Sequence, residues 1–90
     1  MATVIIVTKL MPSSPEVDLS KIINAASVIL NKEGARNVSF EERPIAFGLK
    51  AVIIKMDMPE EKGTDNVEEL LSNIPDVSSV TIEEYRRAFG

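Results

Sequence analysis

The sequence predicts an α+β sandwich: a four-stranded antiparallel sheet with two helices on one face. Three observations predict it. Four stretches, residues 3–11, 37–43, 49–58 and 77–85, are rich in Val, Ile and Thr or alternate apolar with polar residues, as strands do. Two others, around residues 19–30 and 67–74, repeat apolar residues at helical spacing. Their order is β-α-β-β-α-β, which right-handed crossovers restrict to few arrangements.

Each element has a local cause. The first strand ends at Pro12, Ser13, Ser14 and Pro15. Asp18 then caps a helix, its carboxylate accepting an orphan N–H of the first turn. Leu19, Ile22, Ile23, Ala26, Ile29 and Leu30 form one apolar stripe, and Gly34 closes the helix with Lys32 near its negative end. The second strand alternates Val38, Phe40 and Glu42 against Ser39, Glu41 and Arg43. Residues 44–48 make a turn, and the third strand is apolar on both parities. An acidic loop over 59–63 leads to a second helix capped by Thr64 or Asp65, with Val67, Leu70, Leu71 and Ile74 on its apolar side. Pro75 and Asp76 end it. The last strand alternates Val80 and Ile82 against Thr81 and Glu83, and residues 86–90 are expected as a tail.

This pattern is that of a ferredoxin-like sandwich with strand order 4-1-3-2. Strands one and three, apolar on both faces, suit the centre. Strands two and four carry Glu41, Glu42, Arg43, Glu83 and Glu84, as edges do to discourage pairing with other chains. The face without helices is expected to show apolar side chains from the central strands and to be open to weak contacts. Glu41–Glu42 and Glu83–Glu84 are adjacent pairs, so strand alternation sends their members to opposite faces and forms no acid/base dyad.

Composition narrows the chemistry. Ninety residues imply one domain over 1–90 with a thin core, since a chain this small buries only about 60% of its unfolded surface. There is no Cys and no His, which removes zinc ligation and imidazole catalysis. The absence of Cys also fits a reducing compartment. The apolar start, Met1 to Val7, is interrupted by Lys9 and lacks the basic start of a leader, and no run approaches about 20 apolar residues. A cytoplasmic protein without membrane contact is expected. Net charge is −4, concentrated in Asp57, Glu60, Glu61, Asp65, Glu68 and Glu69. An acidic chain is not held on nucleic acid by a broad basic face. The acidic run lacks the ligand spacing and central Gly of a calcium loop, so no metal is expected. No Gly-rich phosphate loop marks a nucleotide site or any cofactor.

The most informative stretch is Glu42, Arg43, Pro44, Ile45, Ala46, Phe47, Gly48, Leu49 and Lys50. It puts an aromatic at the tip of a turn in a chain with three Phe and one Tyr. An exposed ring there offers about 150–250 Å² to a partner pocket. The alternative is a ring folded back to plug the thin core. Topology puts this turn at one pole of the sheet and the C-terminal Arg86 and Arg87 at the other.

The run from Pro44 to Ala51 resembles the Pro-Ile-Ala/Gly-Phe-Gly-Leu/Ile-Lys segment of the translation elongation factor 1-beta family, especially its short archaeal form. Lys9-Leu10-Met11-Pro12, Asp18-Leu19, Gly63-Thr64-Asp65, Glu68-Glu69-Leu70, Asp76-Val77-Ser78-Ser79-Val80 and the Arg86-Arg87 ending are similar in the same order. The resemblance covers essentially the whole chain. It implies a guanine-nucleotide exchange factor that binds elongation factor 1-alpha and helps GDP leave, with no catalytic residue and no covalent chemistry. It also implies that Phe47, with Ala46, Gly48 and Lys50 beside it, meets the GTPase. The resemblance further implies that Arg87, aligned with a basic residue that is Lys in eukaryotic members, reaches toward the magnesium and phosphate region, with Arg86 next to it. A factor that is monomeric when free is expected.

Rival readings share the fold. An RNA-binding module needs aromatics on the central strands to stack bases, and strands one and three have none. A small-molecule regulatory domain needs ligand groups at a subunit interface, which the sequence does not mark. An acylphosphatase-like enzyme needs Arg and Asn in a loop before the first helix, and residues 12–18 hold neither.

Overall fold

Alternation decides which side of the sheet carries the core. The computed structural model describes residues 3–62 and 64–88. In β1 (Thr3–Pro12), Val4, Ile6, Thr8, Leu10 and Pro12 point one way and are buried, while the intervening residues are half-buried. In β3 (Lys50–Pro59), Val52, Ile54, Met56 and Met58 lie opposite them in antiparallel register. Helices α1 (Leu19–Lys32) and α2 (Thr64–Ser72) close over this surface. Ile22, Ala26 and Leu30 from α1 and Val67 and Leu71 from α2 join the strand residues in one buried cluster. Each fully buried aliphatic side chain of this kind contributes about 1.5–3 kcal/mol.

β2 (Arg36–Pro44) pairs with β3, and β4 (Val77–Ala88) pairs with β1. The sheet order β2-β3-β1-β4 is the expected order read from the other edge, and all three pairings are antiparallel. Both helices lie on one face, as expected from the sequence. No helix among the described residues is long and apolar enough to cross a membrane.

Helix α1 begins where the sequence places it. Asp18 accepts a hydrogen bond from the Ser20 backbone N–H at 3.0 Å and another from Ser20 Oγ at 2.7 Å. The hydroxyl first, and the backbone N–H second, hold the Asp18 carboxyl below its ordinary range. At the other end Gly34 takes φ +85°, the left-handed turn that closes a helix without a Cβ penalty.

Three expectations are corrected. The acidic loop is not irregular: Glu60–Lys62 forms a 3₁₀ turn that hands β3 on to α2. The expected C-terminal tail is not free at its start, because β4 continues to Ala88, with Arg86 opposite Ile5 and Arg87 opposite Val4. Unpaired β1 backbone groups at Val4 and Ile5 attract the chain there, which side-chain alternation does not reveal. Phe89 and Gly90 lie outside the described residues.

The helix-free face shows the half-buried Ile5, Val7 and Met11 of β1, as expected, but little of β3. Ala51 and Ile53 on that side are 0% and 5% exposed. Arg43 of β2 ion-pairs with Glu83 of β4 at 3.1 Å, so the two edge strands are joined across it. A bulge in the β1–β4 register between Val7 and Thr8 suspends the alternation. Glu83 and Glu84 therefore both serve this face, Glu84 pairing with Arg86 at 3.1 Å, where strict alternation sends them apart.

One core residue works against stability. Thr8 is 0% exposed, and its Oγ1 has no hydrogen-bond partner among the described residues. A buried hydroxyl without a partner loses its hydration for nothing. Thr8→Val keeps the volume and branching, and is expected to stabilise the fold by about 1 kcal/mol. That raises the melting midpoint by about 4–8 °C, measurable by circular dichroism. A lower midpoint would mean that the hydroxyl has a partner in solution.

Candidate functional site

The β2–β3 hairpin explains why an aromatic can stand in solvent. Pro44 pairs with Lys50, the Ile45 N–H donates to the Leu49 carbonyl at 2.8 Å, and the Leu49 N–H donates to the Ala46 carbonyl at 3.2 Å. Phe47 and Gly48 are the central residues of that last turn, with φ +61° and +75°. Positive φ at both centres defines a type I′ turn, whose twist matches the flanking strands. Gly48 suits its position. Phe47 does not: a side chain in the left-handed region costs about 1–2 kcal/mol. The ring gains nothing from the fold in return, since Phe47 is 93% exposed. The core-plug alternative is thereby removed.

Beside the ring, Ile45 is 38% exposed and Ala46 is exposed. A groove of about 350 Å³ runs between the hairpin and the segment leading into α1. Gly48, Lys50 and Glu42 form one wall, and Pro15, Val17 and Leu19 contribute the apolar part of the other. The Ser13 N–H donates to the Asp76 carbonyl at 2.8 Å, tying this segment to the start of β4. Of the sequence-predicted residues, the structure thus gathers Ala46, Phe47, Gly48 and Lys50 at one end.

Arg86 and Arg87 lie at the other end. β4 runs antiparallel to β1, so its last residues sit beside Thr3, far from the hairpin. The molecule measures 41 × 22 × 19 Å, and a twelve-residue strand spans roughly 40 Å. Strand alternation also separates the two arginines. Arg86 pairs with Glu84 on the helix-free face, whereas Arg87 reaches Glu60 of the 3₁₀ turn on the helix side. Their side chains are 60% and 72% exposed.

The sequence reading did not single out two neighbours of Arg87. Glu60 is its ion-pair partner, a contact that depends on the unforeseen 3₁₀ turn. Tyr85 is 49% exposed and shares Arg87's face, which its spacing of two along a strand could have signalled. Among the described residues no three carboxylates gather where they could hold a metal ion.

This α+β scaffold displays a ring at one end and a guanidinium at the other. The chain belongs to the EF-1 guanine nucleotide exchange domain family, which matches residues 5–88. It is similar to "Elongation factor 1-beta" of Metallosphaera sedula and of Saccharolobus islandicus, each 44% identical over 84 residues, or 91% of either chain. A third relative of that name, from Methanocella arvoryzae, is 39% identical over 90 residues, covering 99% of this chain and all of the relative. Membership makes the chain a translation elongation factor with nucleotide-exchange function.

Proposed function

We propose that the chain speeds release of GDP from the GTPase elongation factor 1-alpha by binding its nucleotide-free state in preference to its nucleotide-bound state. The observation that carries this reading is Phe47, 93% exposed in a strained turn. Strain held at an exposed site points to a use outside the fold. Phe47 anchors the complex, with Ala46, Gly48 and Lys50 around it. Arg87 acts at the far end, where the GTPase holds its magnesium and phosphates. A guanidinium there opposes the dication and hydrogen-bonds carboxylates that have lost it. Arg86, tied to Glu84, has a lesser part.

No covalent step is needed. Nucleotide and magnesium order the switch segments of a GTPase, and a factor that prefers the empty state weakens nucleotide binding by the same ratio by which nucleotide weakens the factor's own binding. In this reading residues 1–90 act as one ferredoxin-like exchange domain, monomeric when free, in the cytoplasm, without direct contact to nucleic acid or membrane. The test is release of fluorescent GDP from purified elongation factor 1-alpha with and without the protein. Faster release, saturating with protein concentration, is expected; an unchanged rate overturns the proposal.

A further inference from the structure

Arg87 is not an unengaged charge in the isolated protein. Its guanidinium donates to a carboxylate oxygen of Glu60, which follows directly on the end of β3. The two ends of this pair are unequal. The Glu60 side chain is 32% exposed and the Arg87 side chain 72%. Glu60 is the more enclosed member and Arg87 the more exposed one.

We infer that Glu60 is the positioning residue of Arg87: it holds the guanidinium against the start of the α2 segment in the free protein and gives it up to carboxylates of the GTPase in the complex. This rests on the reading of Arg87 given above. A guanidinium has five donors, and one carboxylate occupies two at most, so Arg87 can engage incoming acids before it releases Glu60. Arg86 does not compete for Glu60, being paired with Glu84 on the other face. Glu61 adds a second negative charge to the same 3₁₀ turn. Like charges brought together at an interface cost free energy. An acidic cluster on the partner therefore meets both a competitor for Arg87 and a repelling charge.

The magnitude is bounded. Exposed ion pairs are weak, so the resting contact costs the complex about two- to fivefold in affinity. The charge-assisted bonds that replace it form in a drier setting and are stronger. Glu60 thus tunes how readily Arg87 is handed over without deciding whether it acts.

The test is a double-mutant cycle read by GDP release and by affinity for the nucleotide-free GTPase. Glu60→Gln is expected to raise affinity for the nucleotide-free GTPase and the saturating rate of GDP release, each by about two- to fivefold. In an Arg87→Gln background the same substitution is expected to change nothing. Slower release, no change, or an equal gain in both backgrounds overturns the inference, the last because Glu60 would then act by its own charge. If the unmodified protein fails to accelerate release, the functional reading itself falls. If it succeeds and the cycle shows no coupling, only the role of Glu60 is lost.

Discussion

Phe47→Ala is expected to abolish tight binding to the GTPase while leaving the melting curve nearly in place. The ring is 93% exposed and meets no core residue, so its removal opens no cavity. The loss falls on the complex. Aromatic anchors seated in a desolvated pocket cost about 2–4 kcal/mol when truncated, roughly 30- to 1,000-fold in affinity. The turn adds a second, independent signature. Asn tolerates the left-handed region far better than Phe and favours type I′ turns, so Phe47→Asn is expected to stabilise the free protein by about 1 kcal/mol while losing the same affinity. Opposite signs for stability and binding at one residue are hard to produce unless the ring serves a partner. Titration calorimetry against the nucleotide-free GTPase and thermal unfolding of each variant measure the two quantities. Unchanged affinity, or a melting loss of several degrees in Phe47→Ala, would remove the anchor.

The fold was legible because its determinants are local and periodic. The apolar stripe of α1 and the Asp18 cap place that helix within a residue of its observed limits. The two-sided apolar character of β1 and β3 and the charges on β2 and β4 specify the sheet order without any contact information. What was not legible depends on long-range register. That β4 continues through Arg86 and Arg87 follows from the unpaired backbone of β1, since the side chains of those residues read as solvated. The bulge opposite Val7 and Thr8 shifts β4 by one residue, and that shift puts Glu84 on the same face as Glu83. No alternation pattern in the sequence announces it. At the candidate site, the exposed ring was visible from its place between Ala46 and Gly48 in a turn. Its left-handed backbone was not, because Phe is an unusual occupant of that position. The pairing of Arg87 with Glu60 required knowing that the 3₁₀ turn after β3 and the C-terminal strand converge at one end of the sheet.

Arg87→Ala is expected to separate exchange from binding. Phe47 remains intact at the far end of a 41 Å molecule, so the complex still forms, with affinity reduced less than tenfold. The rate of GDP release at saturating protein is expected to fall about 10- to 100-fold, equivalent to about 1.4–2.7 kcal/mol. The asymmetry follows from where the charge acts. A contact made equally with the nucleotide-bound and nucleotide-free states changes affinity alone; one made only after the metal is displaced changes the preference between them. In the variant the ratio of affinities for the empty and GDP-bound GTPase is therefore expected to narrow by the factor by which nucleotide binding recovers. Arg87→Lys keeps the charge and loses the planar fork, and should fall between the two. Folding offers no competing explanation, because the 72%-exposed side chain takes part in one surface ion pair worth at most about 1 kcal/mol. Stopped-flow release at increasing protein concentration yields both the saturating rate and the half-saturation point. Equal losses in the two, or no loss in the rate, would show that Arg87 supports docking alone or does not act on the nucleotide site.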